Sequence, residues 1–321
     1  MAQIITITNP LTGQPAQVDQ LDHTAQQIDD GLNIARGVSN PNLLDNWYFG
    51  NPVNQRGQTS YTGAGYTIDR WIFDGDNASM LIEGSGLHFV FSASATGNEA
   101  IHQRFENPGR YSGKAVTYSM LGSTDHSFGM LLLVNGSIFG SINSGVVAGE
   151  TIFSYTAVLP DNITSLEAYY YPKNASGAGE AYLRGCKLEL GTTQTLAHQD
   201  ESGVWVLNEI PDYGEQLRRC QRYARWMDGC YTGYIDDVNN IQLSVPEIKD
   251  MRTLPTISNI QWDRWVAIPY GDGGAYNISA NYNADIQYNG IRLTQTGLTS
   301  SRYLPVATVF NFRAFLFADI L

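Results

Sequence analysis

The stretch LHFVFSA, residues 87–93, places an apolar side chain at every second position. Side chains two apart in a strand lie on the same face of a sheet, so this spacing predicts a half-buried β-strand. The alternation returns in TIFSYTAV at 151–158, and MLLLV at 130–134 and EAYYY at 167–171 predict further strands. Turn-forming residues separate these segments, for example at Asp74-Gly75, Asn107-Pro108-Gly109 and Asn135-Gly136. Closely spaced strands without intervening helices predict a β-sandwich or jelly roll.

A second β region follows a short predicted helix. In DYGEQLRRCQRYARWM, residues 212–227, Leu217, Cys220 and the Tyr223-Ala224 pair share one helical face, which predicts an amphipathic helix. Residues 228–321 again favour strands, and alternation is strictest over 306–320. Apolar residues on both faces of this last strand predict burial against another subunit.

A helix of about six turns is predicted over residues 14–37. Its apolar residues are spaced alternately three and four apart, which is the heptad pattern of a coiled coil. Self-association of this helix is the favoured interpretation, although a helix packed on its own domain gives a similar pattern. The pattern does not fix how many helices such a coiled coil contains. The predicted oligomerisation residues are Val18, Leu21, Ala25, Ile28, Leu32 and Ala35.

These patterns predict a mainly β protein with four parts. An N-terminal coiled-coil-like attachment helix occupies residues 1–40, and a jelly-roll or β-sandwich domain follows over 41–200. A linker with a short helix spans 201–227, and a second β-sandwich domain spans 228–321. No repeat of 20–50 residues is visible, which argues against solenoids and propellers.

The composition narrows the classes of partner. The net charge is −12, so nucleic acid and anionic membranes are poor partners. No apolar run long enough to span a bilayer occurs, and the N-terminus lacks the basic and apolar segments of a secretory signal. We therefore expect the protein to fold in the compartment where it is made. The three cysteines predict buried free thiols rather than disulfides or a zinc site.

Several motifs carry a family resemblance. Residues 42–73, NLLDNWYFGNPVNQRGQTSYTGAGYTIDRWIF, resemble the opening of carbohydrate-binding-module-like domains in tail-fibre and related structural proteins of tailed bacteriophages and prophages. KLELGTTQTLAH at 187–198 and DYGEQLRRCQRYARW at 212–226 resemble the closing strand and inter-domain helix of those proteins. SVPEIKDMRTLPTIS at 244–258 resembles the start of their C-terminal β domain, and residues 199–211 look like an insertion.

The resemblance implies a virion protein, homotrimeric, that attaches to other virion proteins through its N-terminus. Its β domains are then expected to contact a glycan or protein of the bacterial surface. Two alternatives stay open. One is a ligand-free structural part of the virion, such as a head fibre or decoration, collar or baseplate protein. The other is an enzyme that degrades capsule polysaccharide.

Aromatic side chains supply the candidate ligand-binding residues, because sugars stack their C–H faces on aromatic rings. Residues 262–290 are rich in Gly, Asn and Tyr and resemble an adaptable binding surface, although ordered loops over a core are the alternative. In the first β region we expect Trp47 and Trp71 in the core, whereas residues 169–171 must present a ring on each side of a strand. The candidate ligand-binding residues are Trp262, Trp265, Tyr270, Tyr276, Tyr282 and Tyr170.

No motif for catalysis or for a cofactor is present, so the chain is predicted to be a non-enzyme without a cofactor or metal ion. Residues 74–77, Asp-Gly-Asp-Asn, cluster oxygen ligands for calcium, but a distal glutamate is missing and a β-turn is expected. Carboxylates that pair only in space are invisible in one sequence, which leaves the polysaccharide-degrading alternative open.

Overall fold

The computed structural model describes residues 39–173, 175–235, 240–245, 248, 250–261, 264–268, 282–287, 290–295 and 306–318. For some strand residues only the backbone is described, namely 144–148, 234–235, 240–241, 264–268, 282–283, 287, 294–295 and 306–311. No helix in these ranges is long and apolar enough to cross a bilayer. The predicted oligomerisation seam, which begins at Val18, lies outside them.

Ten antiparallel strands form one continuous sheet in the first half of the chain. Their order is β1-β4-β5-β10-β7-β9-β6-β3-β2, and β8 pairs with β7. The strands are β1 Ser60–Thr62, β2 Gly65–Tyr66, β3 Ile72–Asp74, β4 Ala78–Glu83, β5 Gly86–Phe91, β6 Ala100–Arg104, β7 Ala115–Val134, β8 Ser137–Val158, β9 Leu166–Tyr171 and β10 Gly179–Leu190. A 3-10 helix spans Pro108–Tyr111.

Strand β7 turns this sheet into a sandwich. Its first half, up to Thr124, pairs with β10, and its second half, from Gly129, pairs with β9. Between the two halves the pairing with β8 shifts register repeatedly, and such irregularities bend a strand. Strands β1, β4, β5 and β10 therefore form one layer, and β2, β3, β6 and β9 form the other.

The core lies between these two layers. Phe73 of β3 and Phe89 of β5 meet with ring centroids 5.8 Å apart, which joins one layer to the other. Trp47 is 2% exposed and Trp71 is fully buried, so their predicted core roles are confirmed. The alternation seen at residues 87–93 thus points its larger apolar side chains between the layers, and the predicted β-sandwich class is confirmed.

A second antiparallel sheet follows a two-stranded ribbon and one helix. Its order is β15-β19-β13-β14-β18-β17, and β16 pairs with β19. These elements are β11 Ala197–Gln199, β12 Trp205–Leu207, α1 Tyr213–Cys220, β13 Ala224–Ile235, β14 Asn240–Ser244, β15 Thr256–Gln261, β16 Arg264–Ile268, β17 Tyr282–Gln287, β18 Gly290–Gln295 and β19 Val306–Phe317. The strand predicted over 306–320 is confirmed as β19 over Val306–Phe317, and residues 319–320 lie outside the described ranges.

Helix α1 is shorter than the sequence pattern predicted. It begins after Asp212, whose carboxylate accepts a hydrogen bond from the Glu215 backbone N–H at 2.8 Å, and it ends at Cys220. The prediction of helix to residue 227 was wrong, because residues 224–227 pair with the C-terminal strand β19. Ladder hydrogen bonds to a long partner strand there replace those of the helix, and aromatic residues suit a strand.

Two rings on the second face of β19 contact other parts of the same chain. Phe315 packs on Trp226 with ring centroids 5.2 Å apart, and Phe317 packs on Tyr66 of the sandwich at 4.6 Å. The Arg56 guanidinium lies 5.3 Å from each phenylalanine ring. Phe315 is thus buried within its own chain and Phe317 is half-buried, while burial of β19 against another subunit stays a prediction.

The three cysteines differ in their environments. Cys186 and Cys220 are buried and free, as predicted, whereas Cys230 is exposed on β13. The prediction of burial was wrong for Cys230, because it lies at a register shift in the pairing of β13 with β19.

Candidate functional site

The outer side of the layer β2-β3-β6-β9 carries aromatic and charged side chains together. Cross-strand register places His102 of β6 opposite Tyr169 of β9 and Arg104 opposite Glu167. Since alternate residues share a face, Tyr171 lies on the same side as Tyr169. We call this surface the tyrosine face, and its residues are Asp74, His102, Arg104, Glu167, Tyr169 and Tyr171.

The rings of this face are stacked. The imidazole of His102 and the phenol of Tyr169 are 6° from parallel, with centroids 4.2 Å apart. Tyr171 stacks next to Tyr169 at 6.1 Å and 18°. Both tyrosines are half-buried, whereas His102 is only 3% exposed. The histidine therefore supports the rings, and the tyrosines reach solvent.

Charged groups hold the imidazole in place. His102 Nε2 lies 3.4 Å from Asp74 Oδ2, and His102 Nδ1 lies 3.3 Å from Glu167 Oε2. Burial alone lowers the pKa of His102, but the two carboxylates outweigh it and raise this pKa above its ordinary value. The contact with His102 and the charge of Arg104 in turn lower the pKa of Glu167. The two carboxylates thus favour the protonated form of the imidazole between them.

Tyr169 adds a fixed hydroxyl to this arrangement. Its Oη donates a hydrogen bond to Glu167 Oε2 at 3.2 Å. Burial, followed by the negative charge of Glu167, raises the pKa of Tyr169, so the phenol stays protonated. Neutral phenols, carboxylates and a guanidinium beside half-exposed rings are the groups that hold sugar hydroxyls and C–H faces.

The opposite layer carries a related arrangement. His88 of β5 stacks on Tyr182 of β10 with centroids 4.2 Å apart and planes 11° from parallel. Glu83 lies 2.8 Å and Glu180 3.6 Å from the two nitrogens of His88. Tyr182 is 38% exposed. Each outer side of the sandwich therefore pairs a histidine with a tyrosine, but only the tyrosine face adds a second stacked tyrosine and an arginine on Glu167.

One predicted ligand-binding residue is buried in the core. Tyr170 is fully buried, and its Oη donates a hydrogen bond to the Ser119 carbonyl oxygen at 3.0 Å. The prediction of ligand contact for Tyr170 was wrong, because β9 turns its even-numbered residues inward. Tyr169 and Tyr171 are the rings of this strand that reach solvent.

The other predicted ligand-binding residues are not brought together by the described part of the chain. Trp265 belongs to β16 and Tyr282 to β17, and only their backbone is described. Three residues lie outside the described ranges: Trp262, Tyr270 and Tyr276. Their role stays a prediction.

Sequence reasoning missed His102 and Glu167. The signal for Glu167 was present in LEAYYY, where Leu166 and Ala168 alternate with Glu167 and Tyr169 and mark the inner face. His102 had no local signal, because the stack with Tyr169 joins residues 67 positions apart in the chain.

The turn expected at residues 74–77 forms one residue later, over residues 75–78. Asp74 closes β3, and Ala78 donates a backbone hydrogen bond to the Gly75 carbonyl oxygen at 3.5 Å. Asp74 faces His102 rather than the turn. Among the described residues, no three His, Cys, Asp or Glu side chains lie close enough together to hold a metal ion.

No protein-family model matches this chain, and a search of curated proteins gives no match. Among solved structures, the chain is similar to a CBM4 carbohydrate-binding module, at 16% identity and TM-score 0.34, over 46% of this chain and 99% of that one. It is similar to the CBM22-1 xylan-binding domain of Paenibacillus barcinonensis Xyn10C, at 11% identity and TM-score 0.31, over 48% of this chain and 97% of that one.

A third similar structure is the enzymatically active domain of tailspike protein 4 of bacteriophage CBA120. The identity is 13% and the TM-score 0.29, over 47% of this chain and 21% of that one. At these identities and TM-scores the likeness carries no functional conclusion.

Proposed function

We propose that this chain is a glycan-binding protein without catalytic activity, and that a saccharide binds on the tyrosine face. The observation that carries the proposal is the pair of half-exposed rings, Tyr169 and Tyr171, stacked on a buried histidine and bordered by carboxylates. A sugar placed there meets flat ring surface for its C–H groups and charged acceptors for its hydroxyls.

The rings are set before a ligand arrives. Tyr169 is held by the stack with His102 and by its hydrogen bond to Glu167. Fixing a side chain in advance removes about 0.5–1.5 kcal/mol of ordering cost from the binding free energy. A single face of this kind gives weak binding, and several copies displayed together give a much stronger one.

The acid–base properties of the face favour binding over hydrolysis. Glycoside hydrolysis needs a carboxylic acid that is still protonated at the working pH. The pKa of Glu167 is lowered instead, by the contact with His102. Asp69 does have a raised pKa of about 6, from burial, but its side chain is fully buried and bonded to Gln55 and Arg56.

The setting that we propose is the fibre of a tailed-phage virion, where the N-terminal helix trimerises the chain and attaches it to other virion proteins. The resemblance of residues 42–73 and 187–198 to such proteins supports this setting, together with the predicted seam in residues 14–37. Light scattering of the full chain tests it: a trimer that becomes a monomer on removal of residues 1–37 is expected. A monomeric full chain contradicts the fibre proposal.

Glycan arrays of the full chain, followed by calorimetry with the best oligosaccharide, test the binding proposal. Tyr169→Ala should weaken binding by at least about tenfold, which matches the roughly 1.4 kcal/mol that a lost stack can cost. Tyr182→Ala on the opposite face is the matched control and should bind as the unmodified chain does. Circular dichroism checks that both variants fold.

Two outcomes contradict the proposal. If no glycan of the array binds the unmodified chain, the proposed glycan-binding function is wrong. If Tyr182→Ala loses binding and Tyr169→Ala keeps it, the saccharide binds the opposite face.

A further inference from the structure

A cleft lies where the sandwich meets the end of helix α1. Its volume is about 190 Å³. This volume is smaller than that of the pockets, about 300 Å³ or more, that take drug-sized ligands. The cleft therefore suits a single small group, such as one sugar unit.

The lining of the cleft is positively charged. Four arginines and two carboxylates line it: Arg70, Arg110, Arg219, Arg222, Asp45 and Glu106. The cleft thus has an excess of two positive charges, whereas the whole chain has a net charge of −12. A concave site with one sign of charge attracts ligands of the opposite sign.

Three of the arginines are fixed by the two carboxylates. Arg70 lies 3.0 Å and Arg219 2.6 Å from oxygens of Asp45. Arg222 lies 3.1 Å from Glu106. The pair of Arg219 with Asp45 connects the sandwich to α1, and the pair of Arg222 with Glu106 connects it to the residues after α1, so both give the cleft a rigid wall.

Arg110 differs from the other three. Its guanidinium bonds to the phenol oxygen of Tyr111, the next residue, and lies 4.7 Å from the centre of that ring. Within the described ranges, Arg110 has no ion pair with a carboxylate. Its charge is consequently uncompensated, and it lines the cleft beside the exposed Asn107.

We infer that this cleft binds the carboxylate or phosphate of an acidic saccharide, with Arg110 as the main partner of the oxyanion. Guanidinium groups pair with such oxyanions through two parallel hydrogen bonds. The Asn107 amide is available for a neighbouring sugar hydroxyl. The oxyanion part of this inference stands on the cleft alone, whereas the saccharide part rests on the proposed function.

Calorimetric titration of the full chain at low salt tests the inference, with sodium glucuronate, glucose 6-phosphate, glucose, acetate and inorganic phosphate as probes. At least one of the two acidic sugars should bind more tightly than glucose, acetate and inorganic phosphate. Arg110→Gln should weaken that binding by about tenfold or more, as expected for a lost hydrogen bond to a charged group. Arg218→Gln is the matched control, because Arg218 lies on α1 outside the cleft, is 69% exposed and pairs with Glu215.

The outcomes separate the cleft from the tyrosine face. The Tyr169→Ala variant should bind the acidic sugar as tightly as the unmodified chain does. If this variant loses the binding of neutral glycans and keeps the binding of the acidic sugar, the cleft is a site independent of the tyrosine face. No binding of either acidic sugar by the unmodified chain overturns the inference, and so does an Arg110→Gln variant that binds as tightly. If acetate or inorganic phosphate binds as tightly as the acidic sugar, the sugar ring adds nothing to binding, and the saccharide part of the inference is overturned.

Discussion

His102 on β6 and Tyr169 on β9 stack ring on ring, with centroids 4.2 Å apart and planes 6° from parallel. The buried partner of this pair is a titratable group whose pKa is raised. The position of the half-buried Tyr169 ring therefore depends on the charge of the His102 imidazole beneath it. Stability and glycan binding should therefore respond to pH through the same residue.

The first prediction concerns the pH dependence of stability. Because the folded pKa of His102 lies above its ordinary 6.5, its protonated form stabilises the fold. This contribution is complete below about pH 6.5 and is lost as the pH rises through the folded pKa. Urea unfolding at pH 6 and pH 9 should show that loss, and His102→Gln should show a smaller one. An equal loss in both proteins contradicts the prediction.

The second prediction concerns the ion pair between Arg56 and Asp69, at 3.2 Å. Arg56→Ala leaves a fully buried carboxylate without its cation and removes the contacts to Phe315 and Phe317, so we expect a loss of about 3 kcal/mol in unfolding free energy. The pKa of Asp69 is raised by burial to about 6, above its ordinary 3.8. The cost of ionising Asp69 in the folded state therefore develops as the pH rises from about 3.8 to about 6 and is complete above it, and removal of Arg56, whose charge lowers this pKa, moves the end of that range to higher pH.

The cost of Arg56→Ala should accordingly be larger at pH 8 than at pH 5, as measured by urea unfolding at both values. Arg218→Ala, at an exposed pair, should leave the free energy of unfolding nearly unchanged at either pH. A cost of Arg56→Ala that does not depend on pH would show that Asp69 is not the group left uncompensated.

The third prediction compares Gly84, in the turn between β4 and β5, with Gly86, the first residue of β5. Gly86 has φ +150°, and a Cβ there would lie 2.2 Å from the Leu183 carbonyl oxygen of β10. Gly86→Ala should therefore cost about 2 kcal/mol or more in unfolding free energy. Gly84 has open space around its Cβ position, so Gly84→Ala should stay within about 0.5 kcal/mol. Equal thermal midpoints for the two variants would contradict the close approach at Gly86.

The fourth prediction concerns thiol reactivity. Burial raises the pKa of Cys186 and Cys220, and both side chains are inaccessible, whereas Cys230 is exposed. A thiol-specific chromogenic reagent should modify one cysteine rapidly in the folded chain and all three after denaturation. Cys230→Ser should abolish the rapid reaction. Rapid reaction of two or more thiols in the folded chain would contradict the burial of Cys186 and Cys220.

The amino-acid sequence was sufficient to predict the β class, the strands that the structure places at Gly86–Phe91 and Val306–Phe317, and the core positions of Trp47 and Trp71. These features depend on alternation and turn signals, which are local in the chain. Local alternation also shows that Tyr169 and Tyr170 face opposite sides, but it does not state which side is inside.

The tertiary structure determined the side on which Tyr170 lies, the end of helix α1 and the grouping of the arginines in the cleft. It placed Tyr170 inside, because β6 and β7 pair with β9 and set which side meets the other layer. It also ended the helix at Cys220, because residues 224–227 pair with β19, which lies about 90 residues further along the chain. It also gathered the arginines of the cleft, two from the sandwich and two from the region of α1. Contacts between residues far apart in sequence leave no periodic signal, so the stack of His102 on Tyr169 and the charge of the cleft appear only when the chain is folded.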